Sequence, residues 1–316
     1  MDIYPWHKNV QLAFLRNKTN LSHAQIFFGS DSVGRNNLVR NICQTLLCHQ
    51  VLDDQRPCQD CESCNWFKNT SHPDFFLVEE SEDNLNISVD KIRELKDFFE
   101  LSSHYQDSYK IAAVMNAENL SKASANALLK ILEEPPNNCY IFLAIANLSN
   151  ALPTIRSRCQ LVSLPNPSKE QMDLYIKNNE IKIDYGQLEF LNNSVHALSD
   201  ENDRYAMALE IIEELKKGNS VQLSKTTTKW LDYGLKWFVD VIQKWTYEIF
   251  LNKLTNQHCY FPQHHQMVGE LAKKSSLENL LLFQKRINEI KLYSIKPVNK
   301  DLNLDLILLE YKKIFS

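Results

Sequence analysis

The chain is 316 residues long, room for two or three domains. Hydrophobic residues at 44% and charged residues at 23% are those of an ordinary globular protein. A net charge of −4 excludes a protein that grips nucleic acid with its whole surface, while leaving room for a local basic patch.

Six glycines in all disfavour an enzyme built on glycine-rich tight turns. The opening Met1-Asp2-Ile3-Tyr4-Pro5-Trp6-His7 has no basic region followed by an apolar one, so no signal peptide is expected. No apolar run approaches the length of a membrane span. The expectation is a soluble, cytoplasmic chain without a membrane partner. Its eight cysteines then read as metal ligands or free thiols, not as a disulfide scaffold.

In chain order, Ala24-Gln25-Ile26-Phe27-Phe28 is a short apolar run of strand composition. It leads through Gly29 and Gly34 into Leu38, Val39, Ile42, Leu46 and Leu47 at helical spacing. Strand, glycine-bearing loop and helix are the context of a phosphate-binding P-loop, and the two glycines have the P-loop separation. The next two positions do not fit. A working P-loop needs Lys to reach the phosphates and Ser or Thr to hold Mg2+. This chain has Arg35 and Asn36 there. The guanidinium is broad and planar, and an amide is a poor Mg2+ ligand, so we expect a P-loop-shaped turn that does no ATP chemistry.

Residues 48–64 hold Cys58, Cys61 and Cys64 at two-residue intervals, with Cys48 ten positions upstream. That spacing lets thiolates converge on one ion from tight turns, and four of them make a closed tetrahedral Zn2+ site without an open position for substrate. Its expected role is structural. His49 and His72 are rival ligands, with Cys48 preferred. Cys43, Cys139, Cys159 and Cys259 stand alone and read as packing residues.

A turn at His72-Pro73-Asp74 opens a strand over 75–78, and Ile92, Leu95, Phe98 and Phe99 mark an amphipathic helix. Residues 110–115 form a continuous apolar strand of the kind buried on both faces of a parallel sheet. The acids that follow such a strand in a P-loop ATPase are replaced by Met115 and Asn116. Glu118 is expected to be a solvated loop residue. Ser121 is a candidate N-cap for a helix carrying Ala125, Leu128, Leu129 and Leu132 on one face. Glu133-Glu134-Pro135-Pro136 ends that helix, and 140–146 is a further buried strand. Strands alternating with helices indicate an α/β domain with a mostly parallel sheet. In Thr154-Ile155-Arg156-Ser157-Arg158-Cys159-Gln160 two arginines stand two residues apart. They point the same way in a strand and diverge in a helical turn. The bland reading is a solvated basic loop. The sharper one is an arginine held at the surface for a phosphate on a neighbouring molecule.

Asn126-Ala127-Leu128-Leu129-Lys130-Ile131-Leu132-Glu133-Glu134-Pro135-Pro136, followed by Leu152-Pro153-Thr154-Ile155-Arg156-Ser157-Arg158-Cys159, resembles the clamp-loader branch of the AAA+ ATPases. With the Cys48/Cys58/Cys61/Cys64 module, the resemblance narrows to bacterial DNA polymerase III clamp-loader subunits of the gamma/tau and delta prime types, over roughly residues 20–165. Gamma/tau subunits keep the P-loop Lys-Thr and an Asp-Glu pair. Arg35-Asn36 and Met115-Asn116 imply instead the delta prime type, which binds no ATP of its own. The resemblance implies an α/β then all-α chain. Residues 1–165 are expected to form an AAA+-type parallel-sheet domain with the zinc module at 48–64. A small helical lid is expected over 166–206, and a helical collar or oligomerisation domain over 207–316.

The resemblance further implies that Arg158 is an arginine finger serving ATP on a neighbouring gamma/tau subunit. Arg156 falls at the variable position before that motif. The implied partners are gamma/tau and delta subunits in a hetero-pentamer, with the sliding clamp and primed DNA reached through the complex. The chain alone is then no enzyme, although it is part of a DNA polymerase holoenzyme. The nucleotide-sensing Arg that such lids often carry is missing near Asn193-Ser194-Val195-His196.

Pro165-Asn166-Pro167 reads as a hinge, and Ser168-Lys169-Glu170-Gln171 as a capping box. A helix over 205–217 ends at Gly218. Leu231, Leu235, Phe238, Ile242, Trp245 and Ile249 make a long apolar stripe, mostly bundle core. Three functions compete: a non-catalytic clamp-loader subunit, an ATP-hydrolysing motor subunit, and a zinc-module nucleic-acid binder. The acidic net charge counts against the third and the altered P-loop against the second.

Overall fold

A computed structural model of the chain describes residues 3–16, 21–30, 33–80, 86–105, 109–181, 183, 185–191, 202–221, 230, 234–293 and 300–315. Two compact units divide it, Met1–Glu180 and Ile181–Ser316. That single boundary differs from the expected divisions at 165 and 206. The helix capped by Ser168 belongs to the first unit, so the expected lid segment is shared between the two.

The first unit is built on a five-stranded sheet in the order β2-β3-β4-β1-β5, from β1 (Ala24–Phe28), β2 (Phe75–Val78), β3 (Lys110–Val114), β4 (Cys139–Ile145) and β5 (Gln160–Ser163). Every pairing is parallel. Strand residues alternate between two cores, as a side-chain period of two requires. Ile26, Ala112, Val114, Ile141, Leu143 and Ile145 face one side. Phe27, Ile111, Ala113, Phe142 and Ala144 face the other. Burial on both faces is why β1, β3 and β4 read as unbroken apolar runs.

Helices α1 (Lys8–Arg16) and α2 (Arg35–Leu47) supply the side containing Phe27 through Phe14, Leu38, Val39 and Ile42. Helices α4 (Val89–Glu100) and α5 (Lys122–Glu133) supply the other through Ile92, Leu95, Leu128 and Leu132. Between them in the chain lies the short helix α3 (Glu62–Lys68). Ser121 caps α5 by accepting from the amide of Ser124 at 3.1 Å. The capping box of Ser168 and Gln171 opens α7 (Lys169–Asn178), after a single-turn helix α6 (Pro153–Arg156). Because α6 is helical, Arg156 and Arg158 do not share a strand face. β5 follows directly as an exposed edge strand, a strand the sequence reading did not separate from the arginine turn.

The second unit is helical, and the longest helix among its described residues is Leu235–Thr255. Leu235, Phe238, Ile242, Trp245 and Ile249 are all buried, whereas Leu231 lies outside the described residues. The indole N–H of Trp245 donates to the Tyr311 hydroxyl at 2.9 Å, which donates to the Leu215 carbonyl at 2.7 Å. This chain satisfies the polar tips of two large buried rings. Among the described residues, no helix is long and apolar enough to cross a membrane.

Candidate functional site

Three side-chain groups gather around the sheet unit, and the first stands at the carboxyl end of β1. Parallel sheets bind ligands there, where strand order reverses. Gly29 is required by close approach, since a Cβ on it would stand 2.9 Å from that of Leu164. Gly34 takes a left-handed φ of 74° just before α2, where glycine has no steric penalty.

The next residue, Arg35, is 4% exposed. Its Nη2 donates to Oδ1 of Asn116 at 2.7 Å and lies 3.6 Å from Oε1 of Glu118. Asn36 reaches the same Asn116 oxygen at 3.5 Å. Glu118 is therefore not the solvated loop residue expected from the sequence. Its side chain is 14% exposed, and it also accepts from the amide of Ala146 at 3.1 Å, tying together the ends of β3 and β4. A buried guanidinium needs a compensating carboxylate, and Glu118 supplies it. Met115 is buried within the sheet layer. The positions that would hold phosphate and Mg2+ in an ATPase are thus linked to one another within this chain.

The opening segment covers this turn. A Cβ on Gly34 would meet the Tyr4 ring at 2.3 Å, so that ring lies directly against the turn. Tyr4 stacks on Trp6 with ring centroids 4.8 Å apart and planes 2° from parallel. Tyr175 of α7 meets both edge-on at 5.4 and 5.6 Å. The Trp6 indole donates to the Val33 carbonyl at 2.9 Å. His7 is wholly buried beside them, next to the Val33 backbone. Burial lowers its pKa to about 4, so the ring is neutral. Burial, with Tyr175 beside it, raises that of Tyr4 to about 12. None of Tyr4, Trp6, His7 or Tyr175 was singled out as a site residue by sequence. A Tyr-Pro-Trp tripeptide in a chain with five tryptophans was the available signal.

The second group is the cysteine cluster. The sulfurs of Cys48, Cys58, Cys61 and Cys64 all lie within 4.8 Å of one another. Cys48 is 3.6 Å from Cys58 and 3.9 Å from Cys61, and Cys58 is 4.0 Å from Cys64. The turns aim backbone amides at sulfur: Cys58 to Cys48, Cys61 to Cys58, and Cys64 to Cys61, at 3.3 to 3.4 Å. The Cys61 contact also caps α3. Backbone amides of Asp60 and Cys61 hold the Cys58 thiol down to about 6, while burial pushes Cys48 and Cys64 up. Four such sulfurs can bind one metal ion.

The rival histidines are used elsewhere. His72 spends Nε2 on the Ser63 hydroxyl at 2.9 Å and accepts from the Asp74 amide through Nδ1 at 3.0 Å. His49 is exposed and packs edge-on against Tyr105. The lone thiols of Cys43, Cys139, Cys159 and Cys259 are all pushed up by burial, which suits packing rather than reaction.

The third group is the arginine turn. Arg158 follows α6, and its side chain is 36% exposed. One terminal nitrogen donates to the Thr154 carbonyl at 3.0 Å and to the Ser157 hydroxyl at 3.2 Å. The other meets Oε1 of Glu133 at 2.7 Å. Arg156 is simply exposed. The sensor segment 193–196 lies outside the described residues, as do Asp31 and Ser32 of the first turn.

A family model described as DNA polymerase III, delta subunit, matches residues 8–168, half of the chain. The chain belongs to that family. The DNA polymerase III resemblance carried by the helix and arginine motifs is borne out by these findings. This delta-family chain is 31% identical over 215 residues to DNA polymerase III subunit delta' of Haemophilus influenzae, covering 67% of this chain and 62% of that protein. It is 33% identical over 171 residues to the Pseudomonas aeruginosa protein of the same name, covering 52% and 50%. The matched stretch thus spans half to under two thirds of those relatives. A solved Thermotoga maritima protein described as DNA polymerase III gamma subunit-related aligns over 97% of this chain and 99% of its own, at 18% identity and a TM-score of 0.48.

Proposed function

We propose that this chain is a non-catalytic, delta prime-type subunit of the DNA polymerase III clamp loader, of AAA+ type, acting in DNA replication. In this reading Arg158 completes the ATP site of a neighbouring gamma/tau-type subunit. The observation that carries the proposal is the state of the chain's own turn. Arg35 is bound to Asn116 and Glu118, and Tyr4 lies on Gly34, which supports a turn whose described residues offer an arginine finger no phosphate cradle to serve in cis. Arg158 stays partly exposed and oriented by three contacts. Guanidinium on a γ-phosphate offsets the charge that develops in phosphoryl transfer. The partners are gamma/tau and delta subunits in a hetero-pentamer that loads the sliding clamp onto primed DNA, in the cytoplasm. Exposed Leu281, Leu282 and Leu309 on the helical unit support its use as a collar against other chains.

The four-cysteine cluster is, in this reading, a structural Zn2+ site. With Zn–S near 2.3 Å, tetrahedral geometry sets sulfurs about 3.8 Å apart; the Cys48–Cys58, Cys48–Cys61 and Cys58–Cys64 separations of 3.6 to 4.0 Å match it, and all four sulfurs lie within 4.8 Å. Bound zinc would pin the turns between α2 and α3. The closed donor set leaves no place for substrate.

The test is Arg158→Ala in the reconstituted complex. Clamp- and DNA-stimulated ATP turnover is expected to lose the share of the one site Arg158 serves. There the finger is worth about a thousandfold or more, while co-purification of the subunits is unchanged. Unaltered turnover would refute the trans role. Micromolar binding of ATP by the isolated chain would favour a motor subunit instead.

A further inference from the structure

The exposed end of α5 carries an acid where helix electrostatics disfavour one. Helix C-termini hold partial negative charge and favour cations, yet α5 closes on Glu133 followed by Glu134. Local departures of this kind mark positions where something outside the element sets the choice. For Glu133 that partner is Arg158, at 2.7 Å. The pair is half open to water, Glu133 at 50% and Arg158 at 36%, and exposed ion pairs add little to stability. Fold stability is therefore a poor reason for the carboxylate.

We propose that Glu133 is a positioning residue for Arg158, an inference that rests on the trans-finger reading above. An arginine side chain has many rotamers, and a finger is effective only when its donors already stand where charge will develop. Neutral acceptors hold one terminal nitrogen, the Thr154 carbonyl and the Ser157 hydroxyl. Ser157 is itself anchored by donating to the Thr154 carbonyl at 3.0 Å. Those contacts belong to the same turn as Arg158. Among the described residues, Glu133 alone ties the guanidinium to a different element, the helix α5. Through Leu128, Ile131 and Leu132, α5 is fixed in the sheet core. The carboxylate thus references the finger to the rigid sheet rather than to its own loop. Ile155, buried in the same core, fixes the backbone of the turn, so the guanidinium plane is left for Glu133 to set.

The experiment is a double-mutant cycle in the reconstituted complex, reading clamp- and DNA-stimulated ATPase with kcat and KM separated. Glu133→Ala is expected to lower the Arg158-dependent part of kcat by about ten- to a hundredfold, with KM for ATP and subunit assembly unchanged. Glu133→Gln, nearly isosteric and still an acceptor, recovers part of the loss and stands in if the alanine variant does not assemble. In an Arg158→Ala background both changes at 133 should have no further effect, because the residue acts only through the arginine. If Glu133→Ala lowers turnover equally in that background, Glu133 acts elsewhere and the inference fails while the finger reading survives. Wild-type or raised turnover on replacing Glu133 also overturns it, the raised value meaning that the carboxylate restrains the finger. If Arg158→Ala itself changes nothing, the finger reading fails first, and this positioning role with it.

Discussion

His7 and Gly34 sit within the aromatic cover of the strand-to-helix turn, and each has a measurable consequence. His7 is neutral in the folded chain, with its pKa lowered by burial to about 4. An exposed histidine in the unfolded chain titrates near 6.5. Between those values the unfolded state binds the extra proton, so stability is whole above about pH 6.5 and falls as pH drops towards 4. The contribution lost is roughly 3 kcal/mol. Urea unfolding of wild type and His7→Phe at pH 7 and pH 5 should show a gap that changes by a large part of that amount. A constant gap would mean the ring is not held neutral. Gly34→Ala faces two penalties together, a left-handed backbone and the Tyr4 ring at 2.3 Å from the new methyl. It should cost about 2 to 3 kcal/mol in the same unfolding measurement, more than alanine in place of an ordinary surface glycine.

At the level of elements, the four converging cysteines are where the proposed zinc has its structural consequence. Between α2 and α3 no strand pairing holds the chain; sulfur-directed amides fix its cysteine turns, and the Leu52–Arg56 backbone bond and Gln11 on Gln55 hold the loop between them. Metal analysis of purified protein should return about one zinc per chain. Cys61→Ala should remove both the metal and the Cys61 cap on α3, lowering the unfolding midpoint by several degrees. Retained metal at full occupancy would place the ligands elsewhere.

The same elements explain what could be read from sequence. β1, β3 and β4 were legible because two buried faces leave an apolar run with no polar gap. Ser121 and Ser168 were legible because an N-cap is a local chemical event. β5 was not, since its edge position allows Gln160 and Ser163 and leaves Leu161 exposed. Glu118 was misread for a different reason. Its burial depends on Arg35 and the Ala146 amide, both distant in the chain, and no local pattern announces such a partner. The Tyr4, Trp6 and Tyr175 cover escaped notice likewise, because it forms only when the two ends of the sheet unit meet. The cysteines were the opposite case: a ligand set is written in spacing, and all four preferred sulfurs converge.

For the molecule as a whole, the ring of Tyr4 on Gly34 has a bearing on history as well as on binding. Arg35→Lys, Asn36→Thr, Met115→Asp and Asn116→Glu together would rewrite the chemistry of an ATP site. They would not reopen its volume, because Tyr4, Trp6 and Tyr175 would still lie packed over the turn. The fourfold variant should show no ATP binding by fluorescent-nucleotide titration. Adding Tyr4→Ala and Trp6→Ala should be needed before any signal emerges, and binding by the fourfold variant alone would contradict this. On the proposed reading, nucleotide use cannot be reached from this chain one substitution at a time, since replacing Arg35, Met115 or Asn116 singly discards a buried contact before a phosphate cradle is complete. On that reading the packed rings act as a ratchet against nucleotide use.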